Sequence, residues 1–149
     1  VVFLVRRMSD RRLLAMKTIP LPPLASRDEK SAAERRQALR EVEILRTISS
    51  DHLVRYVDTI LVPASSGRAH SEMNIITEYC DAGDLAGHLR KLDARRGLTE
   101  GEVWYFATSI LLGLRDLHAK QVLHRDLKPA NVFLKRTEGV RGAVKSVKD

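Results

Sequence analysis

A single cysteine, Cys80, stands in the 149 residues, so no internal disulfide framework can hold the chain together and a reducing compartment suits it. Aromatic residues are also scarce, at 5%, and they do not interleave with basic residues as a nucleic-acid surface requires. No apolar run approaches the roughly 18–20 residues of a membrane-spanning helix, so no membrane partner is expected. The apolar start, Val1 to Val5, is short, and Arg6 and Arg7 follow it rather than precede it, the wrong order for a signal peptide. Internal repeats and low-complexity tracts are absent. The opening on a strand without an initiator Met gives the expectation of a piece of a longer chain.

What is present is an ordinary globular balance of 44% hydrophobic and 30% charged residues, in a chain long enough to bury a core. The net charge of +7 comes from 26 Lys and Arg scattered among 19 acids, without a concentrated basic stripe. Nucleic-acid binding is therefore disfavoured, and the same basic surface serves equally well to recruit acidic protein substrates. The expected location is intracellular and cytoplasmic, with nuclear or cytoskeletal association left open; the oligomeric state is not legible.

Phe3 to Val5 and Leu13 to Ile19 read as two strands joined by a polar turn. Pro20, Pro22 and Pro23 are expected to turn the chain away from the sheet. Ser31-x-x-Glu34 predicts a capping box for a helix reaching about Ile48, with Ala38, Val42 and Leu45 on its apolar stripe. Leu53 to Val62 and Met73 to Thr77 read as strands around a Ser/Gly-rich loop, Pro63 to His70. Beyond the short connector Glu78 to Gly83 the pattern turns helical. Asp84 caps a first helix carrying Leu85, Leu89 and Leu92. Thr99-x-x-Glu102 opens a second, with Val103, Phe106, Ile110, Leu114 and Leu117 on one face. Strands are expected again at Asn131 to Leu134 and near Ala143 to Val147. Strands plus one helix, a connector, then mainly helices imply two lobes with a crevice for a small ligand.

The segment richest in chemistry is Leu123-His124-Arg125-Asp126-Leu127-Lys128-Pro129-Ala130-Asn131. Taken singly, each residue is better explained as part of a solvated basic turn, with Asp126 an ordinary cap. Five residue types at this spacing are not explained that way. The run resembles the catalytic loop of protein kinases, H-R-D-L-x-x-x-N. Lys128 between the Asp and the Asn is similar to the serine/threonine branch. The resemblance implies phosphoryl transfer from ATP, with Mg²⁺, to a Ser or Thr hydroxyl of a protein substrate. In that scheme Asp126 takes the hydroxyl proton, Lys128 neutralises charge on the moving phosphoryl group, and Asn131 holds one Mg²⁺. His124 is then a packed structural residue, and Arg125 the partner of a phosphorylated activation loop.

Other stretches resemble the same family in the same order. Leu14-Ala15-Met16-Lys17 is similar to the V-A-I-K strand, whose lysine contacts the α- and β-phosphates. Glu41, in Leu39-Arg40-Glu41-Val42-Glu43, stands where the family places the acidic partner of Lys17, with Glu43 as runner-up on a different, exposed helix face. Ile75 to Leu85 resembles the interlobe hinge. It implies Thr77 behind the adenine, the Glu78 carbonyl and Cys80 amide on its edge, and Asp84 near the ribose. Val2 and Ala15 would roof the ring and Phe133 floor it. For each, burial in a core is the competing explanation, and for Asp84 a helix cap. The hinge and the run Leu123 to Leu134 are most similar to the NIMA-related kinases.

The expected fold is thus α+β, a truncated bilobal protein-kinase-like fold. Residues 1–77 form a small antiparallel sheet lobe with one long helix, 78–83 the hinge, and 84–149 the first, mainly helical part of the large lobe. The Gly-rich phosphate loop would lie before Val1, and Asp149 is expected to be the D-F-G aspartate and a metal ligand. The isolated fragment is expected to be poorly stable and inactive. The alternative reading is a pseudokinase or scaffold that binds nucleotide or partners without phosphotransfer.

Overall fold

In this computed structural model, residues 1–22, 28–64, 71–92, 97–137 and 140–146 are described. The chain divides into two compact units, one of Val1–Thr47 with Tyr56–Tyr79, the other of Ile48–Arg55 with Cys80–Asp149.

The first unit is a four-stranded antiparallel sheet with one helix. Its strands are β1 (Val2–Arg6), β2 (Leu13–Leu21), β3 (Tyr56–Val62) and β4 (Ser71–Glu78), in the order β1-β2-β4-β3. The turn between β1 and β2 is closed by Asp10, whose carboxylate takes an ion pair from Arg7 and a backbone bond from Arg12. The Arg7 guanidinium holds that carboxyl well below the usual range. Helix α1 (Glu29–Thr47) lays Val42 into a core with Leu21, Met73 and Ile75, flanked by Ile19, Ala38, Leu45 and Tyr56. The predicted stripe Ala38, Val42, Leu45 is this packing face.

Three details differ from expectation. Strand β2 runs through Pro20 to Leu21. Thr18 donates its N–H to Val1, so the nitrogen of Pro20, two residues on, faces the same side beyond the last β1 pairing, where no ladder bond is lost. Helix α1 begins at Glu29 rather than Ser31: Asp28 is the cap, accepting from the N–H groups of Lys30 and Ser31 and from the Ser31 hydroxyl. Residues 53–55 are not part of β3. They belong to a segment, Ile48–Arg55, that packs with the second unit. The loop expected at 63–70 lies mostly outside the described residues.

The second unit holds α2 (Leu85–Lys91), α3 (Glu100–His118), a 3₁₀ turn (Pro129–Asn131), and the hairpin β5 (Val132–Thr137) and β6 (Val140–Ser146). Asp84 caps α2 by accepting from the Gly87 N–H at 2.7 Å. The Thr99–Glu102 capping box on α3 is complete. Leu85, Val132 and Leu134 form the core, with Tyr105, Phe106 and Ile110 against it. Val103, expected on the buried face of α3, is exposed. Segment 48–55 is fastened to α3 at two points. The Ser50 hydroxyl donates to Asp116 at 2.6 Å. A Cβ on Gly113 would lie 3.0 Å from the His52 carbonyl oxygen, so any side chain there would push that backbone back by a few tenths of an ångström.

Met73 is fully buried. Met73→Ala should lower unfolding free energy by about 2–5 kcal/mol in urea melts of the full-length protein; a smaller change means that the site refills. The Ser50 hydroxyl, then Arg115, lowers the Asp116 pKa below its ordinary 3.8. A depressed folded pKa adds stability above the unfolded value that is lost as pH falls through the folded one. Ser50→Ala should therefore raise the Asp116 titration midpoint in carboxyl NMR, and an unmoved midpoint rules out the hydroxyl as the main cause.

Candidate active site

In the first unit, the two-residue period of the sheet gathers several predicted residues. Val2 lies opposite Lys17 and Ala15 opposite Thr77, while Lys17 also faces Ile75. Ile75, Ile19 and Leu21 line the core under α1, so Val2, Ala15, Lys17 and Thr77 share the sheet face that carries that helix. Glu78 falls on the opposite face and is buried. Lys17 and Glu41 are each half-buried. Glu43 is exposed, as expected. A groove of about 470 Å³ between α1 and β3, lined by Leu39, Val42, Tyr56 and Leu61 among others, includes the runner-up Glu43 and none of the other candidate residues.

The second unit carries the polar loop between α3 and β5. Burial pins it at both ends, through Val122 and His124 before it and Val132 and Leu134 after it. Between these anchors the loop is tightly bent: Asp126 N–H donates to the His124 carbonyl at 2.9 Å, and Arg125 has φ of 63°. A non-glycine residue in that region costs about 1–2 kcal/mol, a strain typical of functional loops. The Asn131 amide nitrogen donates to the Asp126 carbonyl oxygen at 2.8 Å and to its carboxylate Oδ2 at 2.9 Å. Lys128 Nζ reaches the same Oδ2 at 2.7 Å. Asp126, Lys128 and Asn131 are thus brought into one cluster. Because the amide nitrogen is spent on Asp126, the amide oxygen is the atom of Asn131 with the chemistry to hold a hard cation.

The connector beside this loop is positioned by backbone bonds. Ala82 N–H donates to the Leu134 carbonyl at 3.0 Å and Leu134 N–H to the Gly83 carbonyl at 2.7 Å, while Asp84 bridges Phe133. Gly83 has φ of 78°, which a side chain would strain. Phe133 and Asp84 are thereby neighbours, and Cys80 is buried. Asp84 is occupied as the α2 cap. Asp149 lies outside the described residues. Sequence reasoning missed Asp81, whose carboxylate accepts from the Arg136 N–H at 2.9 Å; no local motif signals a bond across 55 residues. Among the described residues no three His, Cys, Asp or Glu cluster as a ready-made metal site.

Comparison with known proteins agrees with this arrangement. The family model described as "Protein kinase domain" matches residues 1–146. The serine/threonine-protein kinase Nek2 of Homo sapiens is 34% identical over 143 residues, covering 92% of this chain and 30% of that protein. The probable serine/threonine-protein kinase nek2 of Dictyostelium discoideum is 31% identical over 145 residues, covering 95% and 32%. The MAP kinase kinase skh1/pek1 of Schizosaccharomyces pombe is 33% identical over 130 residues, covering 87% and 32%. The chain spans about a third of the length of these curated relatives.

Removing the Asn131 amide deletes two hydrogen bonds, each worth about 1 kcal/mol. In the full-length protein, Asn131→Ala should speed amide hydrogen exchange across residues 124–131 by about tenfold or more. Exchange at the wild-type rate would mean that the amide does not hold the loop.

Proposed function

Because the chain belongs to the protein kinase domain family, we propose that it is the nucleotide-handling portion of a serine/threonine protein kinase, one acting inside the cell on Ser or Thr hydroxyls of protein substrates. The cluster of Asp126, Lys128 and Asn131 is the observation that carries this reading. It combines an acceptor for the hydroxyl proton with a cation for the phosphoryl group and an amide suited to a hard metal.

The residues divide the work of transfer. Asp126 is assigned the substrate hydroxyl, with Lys128 and Asn131 both engaging its Oδ2. As the hydroxyl oxygen bonds to the γ-phosphorus, the bridge to the β-phosphate breaks and ADP leaves. Asp126 takes the released proton late, when the oxygen has become acidic. Lys128 balances negative charge on the transferring group. Mg²⁺, when bound, supplies charge neutralisation to the phosphates; Asn131 would hold it through the amide oxygen, with Asp149 as the expected second ligand. Lys17 is assigned to the α- and β-phosphates and Glu41 to keeping it charged and oriented.

The adenine is assigned to the connector, with the Glu78 carbonyl and Cys80 amide on its edge, Thr77 behind it, and Val2, Ala15 and Phe133 against its faces. We assign Asp84 to α2 first and to the ribose second, since its carboxylate already caps the helix. The isolated 149 residues are inferred to be inactive: Trp104 and Leu111 on α3 are each 65% exposed, apolar surface that a stable unit covers.

In the full-length protein, Asp126→Asn should cut transfer to a generic protein substrate by about 10²–10⁴-fold while leaving ATP binding within about twofold. Lys17→Met should lower both turnover and ATP affinity. Near-normal turnover in Asp126→Asn removes the assigned base. Wild-type protein that binds ATP but transfers nothing points instead to a nucleotide-binding scaffold.

A further inference from the structure

Strand β5 serves two masters. Its first edge pairs with β6, and its other edge meets the connector at Asp84↔Phe133, through the Leu134 bonds to Ala82 and Gly83, and at Asp81 with Arg136. These contacts follow one antiparallel register, advancing along β5 as they retreat along the connector. The last of them is different in kind. Residues 81 and 82 form a turn, which carries the connector's main chain out of the ladder, and the acceptor that meets the Arg136 N–H is a side-chain carboxylate. Asp81 therefore continues the ladder one step past the point where the backbone leaves it. Asp81 is itself exposed, so packing does not fix this step, and a charge-assisted bond carries it.

We propose that Asp81 is a positioning residue for the nucleotide: its bond to Arg136 fixes the height of residues 80–83 along β5, and with it the Cys80 amide assigned to the adenine edge. This rests on the functional reading above, which assigns the base to the connector. Without the bond, Asp81 loses its tie to β5 while Ala82 keeps its Leu134 bond and its packing on the core, and the turn gains freedom about Gly83, whose φ of 78° lies in the freely accessible glycine region. The adenine edge is then offered by several connector conformations, of which one binds. Binding weakens in proportion to the fraction lost, whereas the transfer step, performed on bound nucleotide by Asp126 and Lys128, is left alone. The positional demand is for an acceptor oxygen, not for charge, so Asn at 81 meets it.

The test uses full-length protein with ATP. Asp81→Ala should raise the ATP Kd and KM about fivefold, the worth of one lost hydrogen bond, and change kcat by less than about twofold. Asp81→Asn should return KM to within about twofold of wild type. Amide exchange at Arg136 should be faster in the Ala variant and near normal in the Asn variant. The proposal is overturned if Arg136 exchange rises while ATP affinity does not, if neither moves, or if Ala and Asn weaken binding alike. Wild-type protein that binds no nucleotide takes down the functional reading itself. Wild-type binding with an unaffected Asp81→Ala takes down only the positioning role.

Discussion

The site depends on one constraint: a loop that must present charged groups to solvent can hold its shape only if its backbone is anchored by burial on both sides. Here Val122 and His124 are buried before the loop, and Val132 and Leu134 after it. The span between is short enough that the Asn131 amide can cross it and close on Asp126. With ends and middle fixed, the loop can carry Arg125 at positive φ without unfolding. Loosen the anchors, and an exposed Lys–Asp pair at 2.7 Å would be worth little, since surface ion pairs contribute at most about 1 kcal/mol. Geometry here comes from apolar burial, and the polar bonds refine it.

Much of this was legible because local rules were sufficient. The Thr99–Glu102 box, the Asp84 cap and the stripe Ala38, Val42, Leu45 each follow from interactions within a few residues or one helical face. The loop cluster was legible by resemblance to a known catalytic loop rather than by local rules, and its two ends, Asp126 and Asn131, are five residues apart. The errors came where tertiary context decides. Pro20 stays in a strand because its neighbour on that side has ended, which no local pattern records. Ser31 was an acceptable cap, but Asp28 is the better acceptor and sits three residues earlier. Leu53 has the composition of a strand residue, yet it is claimed by packing in the second unit.

The segment Ile48–Arg55 illustrates how a sequence boundary and a packing boundary diverge. It follows α1 directly and precedes β3, both in the first unit. Its own contacts are with α3, through Ser50 on Asp116 and His52 on Gly113. A glycine within a helix costs about 1 kcal/mol, so its presence mid-helix needs a compensating approach, which the His52 carbonyl supplies. The information for this contact was split between positions 61 residues apart, His52 and Gly113, and neither is informative alone.

Strand β5 connects these themes. It is the buried exit of the polar loop at its start, the partner of the connector in its middle, and the donor to the Asp81 carboxylate near its end. The loop cluster and the second-unit residues assigned to the nucleotide, Asp84 and Phe133, are therefore referenced to a single strand. A change in the register of β5 could not shift one without shifting the other, because Val132 follows Asn131 directly while Leu134 bonds both Ala82 and Gly83. That coupling makes the strand's burial more consequential than its length suggests. Val132 and Leu134, two apolar side chains with no chemistry of their own, hold the register on which both assignments rest.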